Sequence, residues 1–218
     1  MKKITIMLSG GLDSVVLAHE LTAKGFHVDP LFFRFFPNYG KQALRAATET
    51  AQKLNLQLKV VELDGIGRLM RTIIPEPTLA TDEFDTANED STAPTAMIML
   101  PAIAIFYAQA SESEGLALGV IKNQAERSPG LMDGLKRLPA LVELVNSRAK
   151  LLPIVLPFAK WTKAEVVRRG EELGVEFGAT WSCLDYGSEK QCGTCPACAE
   201  RKAAFAIAGV ADNTSYSK

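Results

Sequence analysis

The sequence has little of several features on which particular functions depend. Among its 218 residues, only two are histidines and four are cysteines, aromatic side chains make up 7%, and 24 basic side chains are balanced by 25 acidic ones. The resulting net charge of −1 is not that of a protein with a broad basic surface for nucleic acid. The few aromatic side chains also argue against a platform for stacking single strands. We therefore do not expect nucleic acid to be the partner.

The chain also lacks an apolar run long enough to span a membrane. The best candidate, residues 97–110, is too short and contains Pro101 and Gln109. The first eight residues begin like an export signal, but their apolar run stops at Ser9, which is too early. We expect a cytoplasmic protein without a membrane partner. In that compartment, four cysteines in the final fifth of the chain are not expected to form disulfides.

What the sequence does contain is enough apolar side chain for one packed unit. At 47% hydrophobic residues it is not a disordered chain, and a chain of this length can bury about 70% of its unfolded surface. Short apolar runs predict strands at residues 3–8, 27–33, 56–63, 116–120 and 150–156. Helical patterns lie between and after them at residues 14–24, 41–54, 94–113, 131–145 and 162–173.

Strands separated by helices at this rhythm predict a doubly wound α/β fold with a mostly parallel sheet. We expect an α/β domain over residues 1–175, with a small carboxy-terminal segment, residues 176–218, packed on it as one compact unit. The polar stretch 64–93 interrupts the pattern, and we interpret it as a surface excursion with at most one short helix. A solvated loop, a lid or a partner-binding segment all remain open for that acidic stretch.

A glycine-rich turn follows the first predicted strand. In a doubly wound sheet, ligands bind beyond the carboxyl ends of the strands, where the chain turns into a helix. Glycines let the backbone approach a ligand, serine hydroxyls can donate to it, and the helix that follows offers free N–H groups. The turn therefore predicts a phosphate-binding loop, which differs from both the Walker A and the dinucleotide patterns. Its residues are Ser9, Gly10, Gly11, Leu12, Asp13 and Ser14.

Asp13 is the unexpected member of this loop. A carboxylate facing a polyphosphate repels it unless a cation lies between the two, so Asp13 either binds Mg²⁺ or caps the helix. Glycine pairs and Asp-Ser are also common in ordinary turns. On the residues alone, a plain turn with a helix cap therefore stays open as the alternative to a phosphate site.

The four cysteines form a second candidate site, with the spacing Cys-x8-Cys-x2-Cys-x2-Cys. Four thiolates complete a tetrahedral site without an open position, which predicts a structural Zn²⁺, with nearby basic residues Lys190, Arg201 and Lys202 to offset its negative charge. An iron–sulfur cluster and paired disulfides are the alternatives. A catalytic cysteine would need a basic neighbour, and the two histidines are distant in sequence. The cluster consists of Cys183, Cys192, Cys195 and Cys198.

The loop resembles the Ser-Gly-Gly-x-Asp-Ser signature of the PP-loop ATP pyrophosphatases, at the place where that family has it. The resemblance implies an enzyme that splits ATP between the α and β phosphates. Such an enzyme converts a carbonyl or carboxyl oxygen into an adenylate, from which a nucleophile displaces AMP. ATP and Mg²⁺ are the cofactors that this chemistry implies.

Together, the loop and the cysteine cluster resemble the 7-cyano-7-deazaguanine synthase family over nearly the whole chain. The resemblance implies conversion of 7-carboxy-7-deazaguanine, with ammonia and ATP, to an amide and then a nitrile, by a homodimer. The turn at residues 38–41 and the segment 161–165 match family segments, and the latter implies that Lys163 lies near the phosphates. Lys163 or Lys122 would then neutralise phosphate charge, although a surface position on its helix stays open for Lys163.

Two segments depart from the family pattern. Residues 93–96 are Ala-Pro-Thr-Ala where the family has Pro-Gly-Arg-Asn, and residues 121–130 replace a segment with Tyr-Pro-Asp-Cys-Arg. Because a pocket that hydrogen-bonds a purine edge discriminates strongly, these changes predict altered substrate binding. A different carboxylate, or the carboxyl end of a small protein partner, is one alternative substrate. A non-catalytic nucleotide-binding protein and a tRNA-modifying enzyme are further alternatives.

Overall fold

Five apolar runs form one parallel sheet in the computed structural model, which describes residues 1–35, 40–73, 93–145, 151–185 and 187–217. The order across the sheet is β3-β2-β1-β4-β5, with all neighbours parallel. This order, with β1 in the centre, confirms the predicted doubly wound topology. The strands are β1 (Lys3–Met7), β2 (His27–Arg34), β3 (Lys59–Glu62), β4 (Leu116–Ala117) and β5 (Ile154–Val155).

Strands β4 and β5 are shorter than the sequence predicts. Leu116 and Ala117 pair with Ile154 and Val155, and the preceding Pro153 has no N–H to extend the ladder. Just after β4, Gly119 packs against the backbone of Asp13 and Ser14 at the start of α1. The carboxyl end of β4 thus lies beside the start of α1, at the edge where ligands are expected.

Eight helices surround the sheet in the part of the chain that the structure describes. Helices α1 and α7 lie together on one face, whereas α4 and α6 pack together on the other. The sequence analysis missed α5 and α8, and α3 agrees with the single short helix expected after residue 64. The helices are α1 (Leu12–Ala23), α2 (Lys41–Lys53), α3 (Asp64–Ile73), α4 (Ala93–Ala110), α5 (Lys122–Arg127), α6 (Pro129–Val145), α7 (Lys163–Glu172) and α8 (Pro196–Ala208).

Several sequence predictions concern residues beyond this description. The turn residues 38 and 39, the acidic residues between positions 82 and 90 and the first residue of the predicted fifth strand lie outside the described ranges. For residues 70–73 and 93–97 the structure describes the backbone alone. Within the described residues, no helix has the length and hydropathy needed to cross a membrane.

The carboxy-terminal segment packs better than its small and polar composition suggests. Phe177 and Phe205 meet edge to face with centroids 4.9 Å apart, and both belong to the same core as β1 and α1. Arg201 is fully buried and donates to Thr180 Oγ1 at 2.7 Å and to Phe177 O at 2.8 Å, while Asp212 faces it at 3.3 Å. The shared core ties the segment to the sheet, and the Arg201 contacts hold the segment together, while the division into domains at residue 175 stays a prediction.

A buried carboxylate joins three strands at the end of the sheet opposite the loop. Asp29 on β2 is almost fully buried, lies 3.0 Å from Lys3 Nζ on β1 and bonds to Lys59 on β3. Tyr107 on α4 donates its hydroxyl to Asp29 Oδ2 at 2.8 Å. Burial opposes ionisation of Asp29, but Lys59, Tyr107 and Lys3 outweigh it and hold the pKa of this carboxyl below its usual value.

We predict that Asp29→Asn lowers the free energy of unfolding at pH 7 by about 2 kcal/mol, because two lysines lose their buried charge partner. The difference from wild type should shrink below about pH 4, since a lowered folded-state pKa contributes stability that is lost as pH falls through it. Urea unfolding at several pH values measures both effects. Asp133→Asn, which breaks an exposed pair with Arg137, is the matched control with an effect under about 0.5 kcal/mol. Equal losses for the two variants would contradict the role of Asp29.

Candidate functional site

The loop between β1 and α1 is held in shape by its own serines. Ser14 Oγ donates to Gly11 O at 2.9 Å and accepts the Ser9 N–H at 3.2 Å, and the two serine hydroxyls lie 3.0 Å apart. The Leu12 side chain is buried in the core. Only the backbone of Leu12 can therefore take part in binding, and Ser14 stabilises the loop itself in this structure.

Neighbouring segments approach the loop so closely that glycine is required at two positions. Gly10 has φ +77°, and a Cβ there would lie 2.1 Å from the Ala43 carbonyl oxygen on α2. A Cβ at Gly119, just after β4, would lie 3.1 Å from Asp13 C. The Trp181 N–H also donates to Gly10 O at 2.9 Å. Helix α2, strand β4 and the carboxy-terminal segment therefore meet at the loop and fix its backbone.

Asp13 lies in the first turn of α1, near the positive end of the helix. The interpretation of Asp13 as a helix cap is wrong, because the capping residue is Gly11 and no side chain caps the helix. Asp13 Oδ2 lies 3.4 Å from Lys163 Nζ, while the buried Asp13 Oδ1 has no hydrogen-bond partner in the part of the chain that the structure describes. Burial raises the pKa of this carboxyl, and the Lys163 ammonium offsets only part of that effect.

Lys163 is the first residue of α7, and its side chain extends to Asp13 at the start of α1. The predicted capping box is present, since Thr162 Oγ1 accepts the Glu165 N–H at 3.3 Å and Glu165 Oε2 accepts the Thr162 N–H at 2.7 Å. The Lys163 side chain is only 11% exposed, so the alternative of a surface lysine is wrong. Its ammonium contacts Asp13 and, at 2.7 Å, Glu200 on α8.

The electrostatics of Lys163 depend on these two carboxylates. Burial by itself lowers the pKa of a lysine, but Asp13 and Glu200 outweigh burial, so the pKa of Lys163 is raised and the side chain carries a positive charge. Lys122, the other predicted candidate, pairs with Glu126 on its own helix at 3.8 Å and is 47% exposed. Of the two candidate lysines, Lys163 is therefore the one that the structure places beside Asp13.

Sequence reasoning missed Glu200, because α8 was not recognised as a helix. Its signal was nevertheless present: Pro196 occupies the first turn, Gly209 ends the helix with φ +71°, and buried residues recur at helical spacing between them. Those buried residues are Cys198, Arg201, Ala204 and Phe205. The pairing of Glu200 with Lys163, 37 positions earlier, has no signal in the sequence.

The four cysteines converge as their spacing predicts. Their sulfur atoms all lie within 4.8 Å of one another, so the cluster can bind a metal ion. The backbone N–H of Cys192 donates to Cys183 Sγ at 3.2 Å, and that of Cys195 donates to Cys192 Sγ at 3.2 Å. Burial opposes ionisation of Cys192, but the N–H groups of Thr194 and Cys195 lower its pKa to about 6. Convergent sulfurs and N–H donors that favour thiolates fit a cation ligated by sulfur.

The basic residues near the cluster have different surroundings. Lys202 Nζ donates to Gly193 O at 2.9 Å, in the turn between Cys192 and Cys195, so it lies next to the cluster. Arg201 is instead engaged with Asp212 and with the loop residues Thr180 and Phe177. Of the two, Lys202 is better placed to offset the charge of four thiolates.

Comparison with known proteins decides the family of the chain. The model of a family described as "Queuosine biosynthesis protein QueC" matches residues 3–209, which is nearly the full length. The chain belongs to the QueC family. It is therefore an ATP-dependent enzyme of the PP-loop type, and the alternative of a non-catalytic binding protein is set aside.

Curated relatives agree with this assignment. A protein of Rhizobium johnstonii is 30% identical over 221 residues, which cover 98% of this chain and 92% of the relative. A protein of Hahella chejuensis is 29% identical over 218 residues, which cover 96% and 91% of the two chains. Both relatives are named 7-cyano-7-deazaguanine synthase.

Solved structures support the fold. NMN synthetase from Francisella tularensis is similar with a TM-score of 0.55 at 16% identity, covering 95% of this chain and 77% of that one. The U34-tRNA thiolase NcsA from Methanococcus maripaludis, solved with its [4Fe-4S] cluster, gives 0.54 at 18%, covering 86% and 62%. At these identities the likeness extends to the fold alone, so the metal of one neighbour does not identify the metal of this cluster.

We predict that Gly119→Ala weakens ATP binding roughly tenfold, because the added methyl group pushes the backbone of residues 13 and 14 out of place. Gly130→Ala is the matched control, since a Cβ at that position meets nothing within 4 Å. It should leave affinity unchanged and stabilise α6 slightly. Equilibrium dialysis with ATP measures the affinities. Unchanged affinity in Gly119→Ala would show that the contact with the loop is unimportant.

We predict that Cys195→Ser releases the metal ion and lowers the midpoint of thermal unfolding, because Cys195 both contributes a sulfur and caps α8. Elemental analysis of the purified wild-type protein and variant measures zinc and iron content per chain. Full metal occupancy in the variant would contradict a site made of four thiolates. If the wild-type protein contains iron and inorganic sulfide instead of zinc, the four cysteines bind an iron–sulfur cluster and the proposal of zinc is wrong.

Proposed function

We propose that this enzyme uses ATP to adenylate a carboxylate, which ammonia then attacks as AMP leaves. The proposed substrate, by resemblance to the family, is 7-carboxy-7-deazaguanine, and the names of the curated relatives give the nitrile as the product. The first ATP would yield the amide, and a second ATP would adenylate the amide oxygen, which leaves with AMP as the nitrile forms. The observation that carries the proposal is that Asp13, at the start of α1, lies beside the charged Lys163 and has one buried oxygen without a partner among the described residues. The Asp13 carboxylate can bind a cation, and the Lys163 ammonium can bind a phosphate.

Charge explains why adenylation needs such a site. The substrate carboxylate and the α-phosphate are both negative, so the enzyme must neutralise them and hold them in line. In this proposal the backbone N–H groups at the start of α1 donate hydrogen bonds to phosphate oxygens, and Lys163 adds one positive charge. Gly10 and Gly119 allow the close backbone packing that keeps these donors in place.

Asp13 is the residue proposed to hold Mg²⁺. Its Oδ1 is buried without a partner among the described residues, and a carboxylate oxygen is a ligand that Mg²⁺ prefers. When bound, Mg²⁺ supplies positive charge to the triphosphate. For the cysteine cluster we propose Zn²⁺ in a structural role, holding the start of α8.

A second candidate is the same chemistry on a different carboxylate, including the carboxyl end of a small protein. It is favoured by the course of the chain after β4. Here residues 122–127 form α5, and the Ile121 N–H donates to Gln124 Oε1 at 3.1 Å. This helix occupies the place where the family pattern has a different segment.

The resemblance to the family is also our basis for proposing a homodimer in the cytoplasm.

Incubation of the protein with ATP, MgCl₂, ammonium and 7-carboxy-7-deazaguanine tests both candidates. AMP, pyrophosphate and a product of the nitrile mass are expected from the first candidate. AMP formed only with other acids, or only with a companion protein, would support the second candidate and exclude the deazapurine. Absence of AMP under all these conditions would contradict the proposed adenylation.

We predict that Asp13→Asn abolishes AMP formation, at least a hundredfold, because the variant loses the anionic ligand for the cation. The fold should be retained, since the side chains are nearly isosteric and Lys163 keeps its ion pair with Glu200. Chromatography of nucleotides measures AMP, and circular dichroism checks the fold. Asp133→Asn on α6, far from the loop in the fold, should keep full turnover. Full turnover by Asp13→Asn would remove Asp13 from the mechanism.

A further inference from the structure

The ammonium of Lys163 is shared unequally between two carboxylates. It lies 2.7 Å from Glu200 Oε2, a strong charged hydrogen bond, but 3.4 Å from Asp13 Oδ2, which is longer than such a bond usually is. The Lys163 side chain is 11% exposed and that of Asp13 is 15% exposed, so water does little to screen their contact, whereas the Glu200 side chain is 34% exposed. The geometry thus draws Lys163 toward Glu200 and away from Asp13.

This unequal sharing matters because a lysine and a metal cation compete for the same carboxylate. An ammonium in full contact with Asp13 would neutralise the charge that a cation needs and would occupy space next to the oxygen. If Glu200 is removed, Asp13 is the carboxylate that remains, among these three residues, to pair with the buried ammonium of Lys163. Lys163 would then be expected to move onto Asp13.

We propose that Glu200 is a positioning residue that holds Lys163 off Asp13 and so keeps Asp13 available for the cation that accompanies ATP. This inference rests on the proposed function, because it takes the Asp13 oxygen as the cation ligand. An ammonium has three N–H donors, so a lysine bonded to Glu200 still has donors for a phosphate. With Lys163 held by Glu200, Lys163 can contact a phosphate of ATP while Asp13 binds the accompanying cation.

The position of Glu200 is well determined by its helix. It follows Cys198 of the cysteine cluster by two residues and directly precedes the fully buried Arg201. Helix α8 packs along α7, which begins with Lys163. The cysteine cluster at the start of α8 therefore helps to set the distance between Glu200 and Lys163.

The test is a double-variant cycle on cation binding, measured without turnover. Mn²⁺ replaces Mg²⁺, the α,β-methylene analogue replaces ATP, and electron paramagnetic resonance measures free Mn²⁺ in the presence of the full-length protein. Glu200→Gln should weaken Mn²⁺ binding about tenfold. In a Lys163→Met background the same exchange should change binding less than twofold, because there is no lysine left to move.

Glu172→Gln is the matched control, since it also removes a carboxylate that pairs with a basic residue of α7, Arg169, but away from the loop. It should bind Mn²⁺ as the wild type does. Metal content of the cysteine cluster and thermal unfolding midpoints confirm that the variants are folded. Should Glu200→Gln not fold, Glu200→Asp keeps the charge with a shorter reach and should weaken binding in the same direction.

The outcomes separate the inference from the function on which it rests. Equal weakening by Glu200→Gln with and without Lys163 would mean that only long-range charge acts, and would overturn the positioning role. Unchanged binding in Glu200→Gln would overturn it as well. If the wild type binds nucleotide and Mn²⁺, either result leaves the proposed function standing. A wild type that binds neither would overturn both.

Discussion

Close backbone packing around the loop after β1 is the constraint on which the rest of the site depends. The loop is held from three directions by Ala43 on α2, by Gly119 after β4 and by Trp181 in the carboxy-terminal segment. The Ala43 carbonyl group leaves no room for a side chain at Gly10. The N–H groups at the start of α1 are therefore fixed before any ligand arrives, which is the preorganisation that catalysis by charge stabilisation requires.

The buried carboxylates at the two ends of the sheet, Asp29 and Asp13, differ in how completely they are paired. At the amino ends of the strands, Asp29 is satisfied by two lysines and a tyrosine, an arrangement that serves stability. At the carboxyl ends, Asp13 keeps one oxygen without a partner among the described residues, although burial makes that costly. Asp29 is fully paired, whereas Asp13 is incompletely hydrogen-bonded among the described residues. This difference is expected if Asp13 belongs to a ligand site.

The elements that the sequence predicted well are those with strong local signals. Helix α7 was located by its capping box, and the phosphate loop by two glycines following an apolar run. Strands β4 and β5 were predicted too long, because apolar composition does not show where a ladder ends. Helix α8 was not predicted, because this segment was interpreted by the spacing of its cysteines, of which only Cys198 lies within the helix.

By itself, the sequence determined the alternation of the strands with most of the helices, the glycine-rich loop after β1 and the four converging cysteines, because each depends on residues near one another in the chain. Only the tertiary structure decided that Lys163 turns inward, that Asp13 does not cap its helix and that Glu200 joins them. Those contacts link residues 13, 163 and 200. They form because α1, α7 and α8 pack against one another, and side-chain direction across such distances follows from packing rather than from local pattern.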